Sequence, residues 1–200
     1  MKHPLTALAI VLLCAVFAAG CGSTPSGVDE ASGMAEEFEN APDWVTSGGS
    51  DIKGLAGVGS ARIGEAGVGF ARTEAMAMAR AEMARQMQVK VKDLVKNFTK
   101  QIGAGQGQTV DKLSAQVSKQ VTRQSISGSR QKASWISPSS TIYTLVTVDP
   151  ESVQKYIKDS VKTSLRNDEA LWQQFQAEKG FEELEEEIRK EFGDYSNRQQ

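Results

Sequence analysis

The chain of 200 residues has one histidine, His3, and two cysteines, Cys14 and Cys21, so neither residue type occurs after position 21. Beyond that point there is no imidazole base and no free thiolate. This excludes Ser-His-Asp and Cys-His catalytic sets and the usual zinc ligand sets from residues 22 to 200. Disulfides within that stretch are excluded as well. Long apolar runs are also scarce. The one present extends from Leu5 to Phe17, broken only by Thr6, and falls short of the roughly 20 apolar residues that a membrane-spanning helix needs. A dinucleotide fingerprint is missing too: Gly57 and Gly59 would require a third glycine where Arg62 stands, and no Gly-Lys-Ser/Thr follows.

What is present at the start is a leader. Lys2 precedes the apolar run, and the small residues Ala18-Ala19-Gly20 close it immediately before Cys21. A basic n-region, an apolar h-region and a small-residue cleavage site make residues 1–20 a signal peptide. Its removal takes away His3 and Cys14 and leaves Cys21 first. The cysteine after Ala-Ala-Gly resembles the lipobox of bacterial lipoproteins, with Ala18 where leucine is usual. The resemblance implies lipidation of Cys21. Gly22 rather than aspartate after it implies export to the outer membrane. Several acyl chains, at about 0.8 kcal/mol per buried methylene, anchor a protein without help from its folded part.

The formal net charge of −2 hides segregation. Residues 22–51 hold seven acids and no Lys or Arg; residues 80–135 hold eleven Lys or Arg against three acids; residues 167–200 hold ten acids against four bases. The order is acidic, basic, acidic. Flanking acids would compete with nucleic acid for the basic middle. That middle reads as a solvated helix face, or as a patch for an anionic partner such as lipid headgroups.

Composition divides the chain further. Residues 21–40 are small, acidic and poor in apolar material, which predicts a flexible tether. Pro42 and Trp44 mark the start of a domain spanning 41–165, and residues 166–200 form an acidic helical tail. Within the domain, 54–61 reads as a glycine-rich strand whose missing side chains admit another backbone. From about Phe70 to Ile102, Ala71, Ala75, Ala79, Met83, Met87 and Val91 recur every fourth residue, followed by Leu94, Val95, Phe98 and Ile102, as an amphipathic helix requires. Arg72, Arg80, Arg85, Lys92 and Lys96 are expected to point outward. Residues 111–124 read as a second helix. From Ser125 to Ile136, and again over Thr141–Val148, β-branched and aromatic residues flank Ser137-Pro138-Ser139-Ser140, which predicts an antiparallel hairpin. Asp149-Pro150-Glu151 is a helix start, with Val153, Tyr156, Ile157, Val161 and Leu165 as its buried stripe. Leu171, Trp172 and Phe175 belong to a further helix, and Phe181, Leu184, Ile188 and Phe192 to a last one. That tail either folds back on the domain or serves as an interaction arm. The fold class is therefore α+β: a small antiparallel sheet on a long amphipathic helix, with a C-terminal helical extension.

Candidate chemistry is sparse. Met83 and Met87 at helical spacing read as core filling rather than as ligands. Glu182, Glu183, Glu185, Glu186 and Glu187 crowd one helix and read as a solvated face, whereas glycosidases need separated pairs lining a cleft. Ser118-Lys119 lies in a polar stretch without an oxyanion setting. No catalytic, metal or cofactor residue is assigned, and the one site residue is Cys21.

Several elements coincide: Cys21 behind its lipobox, Trp44 near Pro42, Gly57-Val58-Gly59-Ser60-Ala61, the Ala-Arg/Glu helix from Ala71 to Ala84, Trp135, and Tyr143-Thr144-Leu145-Val146. From residue 42 to about 165 the chain resembles the small lipoprotein family typified by the twenty-kilodalton outer-membrane lipoprotein of helicobacters, which includes FlgP-like flagellar lipoproteins. The resemblance implies a sheet packed on a long helix, no known catalytic residues, and a place in the envelope. The expected function is that of a non-catalytic lipoprotein with a structural or assembly role in outer-membrane or flagellar-associated structures. It would be anchored through palmitate-type acylation of Cys21, facing the periplasm, self-associating or contacting a periplasmic envelope protein, with no nucleic-acid partner. The alternative is a periplasmic binding module that recruits or activates an envelope partner, favoured if aromatics such as Trp44, Trp135 or Tyr143 line a groove.

Overall fold

A computed structural model describes residues 33–34, 36–52, 54–103, 107–177 and 179–192. The leader, Cys21 and most of the expected tether lie outside them. In chain order the elements are α1 (Asp43–Thr46), β1 (Ala56–Arg62), α2 (Gly67–Gln101), α3 (Gln108–Ser127), β2 (Arg130–Ile136), β3 (Thr141–Thr147), α4 (Pro150–Arg166), α5 (Glu169–Ala177) and α6 (Gly180–Phe192). The architecture is α+β, as the sequence predicts.

The three strands form one antiparallel sheet in the order β1-β3-β2. β3 is central because it carries the β-branched and apolar run, with Ile142, Leu145 and Val146 buried. Pairing of Gly57 with Val146, Gly59 with Thr144 and Ala61 with Ile142 puts these residues on the face that α2 covers. Gly57 and Gly59 are indispensable to that packing. A Cβ on Gly57 would lie 2.1 Å from the Ala79 carbonyl oxygen, and one on Gly59 2.2 Å from that of Ala75. Strand and helix backbones touch, and the carbonyls they meet are those of Ala75 and Ala79. Ala71 and Ala75 pack with Ile142 against Ala61 and Ile63.

The 35 residues of α2 make it roughly 50 Å long at 1.5 Å per residue. Its buried residues recur at intervals of four from Ala71 to Val91, while one turn takes about 3.6. The stripe therefore winds around the helix by about 40° per step. Its first part faces the sheet. Its later part, from Met87 through Val91, Leu94, Val95 and Phe98 to Ile102, lies in one core with Leu113, Val117 and Val121 of α3, Ile157, Val161 and Leu165 of α4, Phe175 of α5, and Leu184 and Ile188 of α6. Of the two possibilities for the C-terminal segment, the described part folds back. Phe175 stacks edge-on against both Phe98 and Phe181, with ring centroids 5.9 and 4.6 Å away.

Four differences from the sequence reading have physical causes. Helix α3 runs on to Ser127, so the strand expected from Ser125 begins only at Arg130; Ser125 is fully buried on the helix, and Gly128 ends it. Arg80 is half-buried rather than outward-pointing, and its Nε donates to Ser129 Oγ at 3.2 Å. Lys96 is also half-buried, paired with Asp111 at 2.7 Å. Glu37 and Phe38, assigned to the tether, are seated on the domain: Glu37 accepts from the Ser139 amide and hydroxyl at 3.2 and 2.8 Å, and Phe38 packs edge-on against Tyr143 at 6.0 Å.

The hairpin turn and the next helix start follow local rules. Ser140 has φ 62°, and its amide donates to Ser137 O at 3.0 Å, closing the turn with a left-handed residue. Asp149 caps α4, accepting from the Ser152 amide at 2.9 Å and hydroxyl at 2.6 Å. These bonds, the hydroxyl's first, hold the carboxyl below its ordinary value.

Two outcomes are expected in chemical denaturation. Gly59→Ala should cost at least about 2 kcal/mol, since the clash is with backbone that cannot rotate away; Gly64→Ala, with nothing within 4 Å of the added carbon, should cost no more than about 0.5 kcal/mol. Equal stability of the two variants would refute the close approach. Asp149→Ala should cost about 1 kcal/mol at neutral pH. Because the folded-state value is lowered, this contribution is complete above the unfolded-state value and is lost as pH falls through the folded one. The gap between wild type and variant should therefore shrink under acid, and a gap constant with pH would refute the assignment.

Candidate functional site

The second face of the sheet carries an aromatic cluster of Phe38, Trp135 and Tyr143. Ser60 and Trp135 both pair with Tyr143, and Val58 and Ala133 with Leu145, so these side chains share the side away from α2. The Trp135 and Tyr143 rings are 5.5 Å apart, and Phe38 closes on Tyr143 from its other neighbour position. Gly49, after α1, lies against Ala56, Val58 and Leu145, so the segment following α1 covers the part of this face beside the aromatic cluster. Trp44, Trp135 and Tyr143 are half-buried, neither core residues in full nor free surface. Burial, with the nearby Glu37 charge second, raises the Tyr143 hydroxyl above its ordinary value. Glu37 itself is lowered, by hydrogen bonding from Ser137 first, against an opposing effect of burial and with help from Ser139. This carboxylate is a clamp between the incoming chain and the hairpin turn.

The basic middle of the sequence lands on α2 and α3. Gln88, Val89 and Lys92 from α2 and Ala115, Ser118 and Lys119 from α3 border a shallow groove of about 490 Å³. Gln116, Gln120, Arg123 and Gln124 continue the same polar surface of α3. This side of α3 is solvated, as read from the sequence. Ser118 is buried and donates to Ala115 O at 3.2 Å, so its hydroxyl is committed to its own helix while Lys119 points to solvent.

Among the glutamates of α6, Glu187 departs from the expected solvated face. It is buried, accepting from Gln101 Nε2 at 2.9 Å and Lys190 Nζ at 3.0 Å. The signal was present in the spacing: Glu187 follows Leu184 by three and precedes Ile188, so it shares their stripe. Met83 and Met87 are fully buried in the main core. Among the described residues no group of three His, Cys, Asp or Glu is placed to hold a metal ion, and no helix is long and apolar enough to cross a membrane. Cys21 lies outside the described residues.

The geometry defines a class first: a small α+β domain whose described polar side chains serve as caps, clamps and surface pairs around a helix-sheet core. Residues 42–149 match the family described as LPP20 lipoprotein. That is more than half of the chain, and the chain belongs to this family. It is accordingly a lipoprotein of the cell envelope, associated with a membrane through lipid. No curated protein matches it.

If the two methionines only fill the core, Met83→Leu and Met87→Leu should each cost less than about 1.5 kcal/mol and leave the metal content of the purified protein unchanged. Loss of a bound metal in either variant, read by elemental analysis, would overturn that assignment.

Proposed function

We propose that the chain is a non-catalytic structural or assembly lipoprotein of the outer membrane, facing the periplasm. Residues 1–20 act as its leader, and Cys21 is the acylated residue that anchors it. The observation that carries this reading is the family match over the folded core, downstream of a cysteine that follows Ala18-Ala19-Gly20. The acidic segment after Cys21 serves as a tether in this reading, and Glu37 and Phe38 hold the chain to the domain. An acidic tether is repelled by anionic headgroups, which extends it and holds the domain off the surface.

The non-catalytic part of the reading is supported by the chain's chemistry. No histidine or second thiol follows Cys21. The carboxylates with the strongest hydrogen bonding are committed to structure: Asp149 to a helix cap, Glu37 to the hairpin turn, Glu187 to the contact between α2 and α6. A structural role needs a surface that persists, and the aromatic cluster of Phe38, Trp135 and Tyr143 is half-exposed, with Trp135 and Tyr143 on adjacent strands. Such rings are effective anchors for a second protein or a second copy.

The test compares wild type with Cys21→Ser by membrane fractionation and intact mass. The wild type should lose the leader, gain acyl mass and sediment with outer membranes; the variant should do none of the last two. Identical mass and identical sedimentation of the two proteins would refute the anchor, and with it the envelope role assigned to this cysteine.

A further inference from the structure

We propose that the cleft between the start of β2 and the start of α4 is a binding site for a small ligand carrying an oxyanion, a carboxylate or phosphate group held by Arg130 and Lys132. The cleft has a volume of about 590 Å³, and Ile52, Arg130, Lys132, Thr147, Ser152 and Tyr156 are on its walls. This is within the range of small-molecule sites, roughly 300 to 1,000 Å³. It shares no residue with the aromatic cluster, and the proposal depends neither on that cluster nor on Cys21.

The strand itself brings the cations together. Arg130 opens β2, opposite Thr147, and Lys132 follows two residues later, so the alternation of a strand puts both on one side. The register passes from Gln131, opposite Val146, to Ala133, opposite Leu145, with a shift between them that leaves Lys132 without a ladder partner. Both side chains line the cleft.

Neither cation has an ion-pair partner among the described residues. The lysines elsewhere that approach acids are matched, Lys90 with Glu191, Lys96 with Asp111, Lys158 with Glu185 and Lys190 with Glu186 and Glu187. The one carboxylate on the cleft, Asp149, accepts the Ser152 amide and hydroxyl on Oδ2 in the cap of α4 and also feels the Arg130 charge. The cleft therefore holds two cations against one acid. Ile52, Val148 and Pro150 supply apolar wall, and concave sites with such walls concentrate the field of their charges. The guanidinium presents parallel N–H donors suited to two oxygens of one oxyanion, and the ammonium adds a point charge. Tyr156, half-buried on α4, places a hydroxyl on the same cleft for the ligand's remaining polar group.

The experiment titrates the purified full chain, in mild detergent at constant ionic strength, with three probes: inorganic phosphate, N-acetyl-alanyl-alanine, and the amide of that dipeptide. Amide chemical shifts are the readout. Saturable shifts confined to residues around Gly128, Arg130, Ser152 and Tyr156 are expected with phosphate, with the free-acid dipeptide, or with both, and none with the amide. Phosphate alone identifies a phosphate ligand, the free acid alone a carboxylate ligand. Arg130→Gln/Lys132→Gln should weaken binding at least about tenfold, the loss expected when charge-assisted bonds are removed, whereas Lys92→Gln/Lys119→Gln in the groove of α2 and α3 should not. A wild type that shows no saturable shift with either anion overturns the proposal. So does a response spread over all basic residues, or one that the amide reproduces. Should the β2 variant unfold, Lys132→Gln alone, which removes no ladder bond, must still weaken binding; undiminished binding there also overturns it.

Discussion

Everything in this fold depends on one close contact, that of the β1 backbone with the α2 backbone at Gly57 and Gly59. The two carbonyl oxygens, of Ala79 and Ala75, occupy the space that side chains on the strand would need. Such an approach requires small residues on both sides, and both supply them. Once the helix is seated on β1, its neighbour β3 is covered on the same face, with Ile142 and Val146 buried. The third strand lies beyond the helix, and its residues are correspondingly exposed, with Ile136 still 49% open to solvent. The helix axis is thus placed over one edge of the sheet rather than over its centre.

The same helix then has to serve a second purpose, because its length exceeds what three strands of seven residues can cover. A stripe with strict 3.6-residue repeats would keep one face and leave the far half of α2 with its apolar residues on the sheet side, beyond the sheet. The four-residue repeat instead carries the stripe around the helix as the chain leaves β1. It delivers Met87, Val91 and Phe98 to the side where α3, α4 and α6 pack. Residue size changes along the same path: alanine where backbone meets backbone, methionine at the crossing, then valine, leucine and phenylalanine in the helical core. The period and the side-chain sizes express one constraint.

This explains which features were legible in the sequence. The long helix, the strand that admits it, the hairpin and the capped start of α4 all rest on local signals: a repeat, a pair of glycines, β-branched runs around Ser137-Pro138, and Asp149-Pro150. The family resemblance rested on their order. Features decided by distant contact were not legible. Ser125 belongs to a helix because its small side chain is buried there, although its neighbours suit a strand. Arg80 and Glu187 are drawn inward by partners 49 and 86 residues away. Phe38 is part of the domain because Tyr143 offers it a ring, in a segment whose own composition argues for a tether. The bulge at Lys132 has no local mark at all, since neither glycine nor proline accompanies it.

The acidic, basic, acidic arrangement of the sequence acquires a different meaning once folded. Read linearly, it invites a search for an anionic partner for the middle and a cationic one for the tail. In the structure α6 lies on α2 and α4, and the pairs Lys90 with Glu191 and Lys158 with Glu185 join the two charge blocks, with Gln101 and Glu187 between them. Each exposed pair contributes at most about 1 kcal/mol and is screened by salt, so these contacts are not what holds α6 in place; the burial of Leu184, Ile188 and Phe192 is. Their effect is on what remains. Of the cations without an ion pair among the described residues, Lys92, Lys119 and Arg123 stand along the solvated side of α2 and α3, and Arg130 and Lys132 in the concave end of the sheet. The first group is spread over open surface, where water and salt screen it. The second shares one cleft with Ile52, Val148 and Pro150, so its two charges, although exposed, act on the same point.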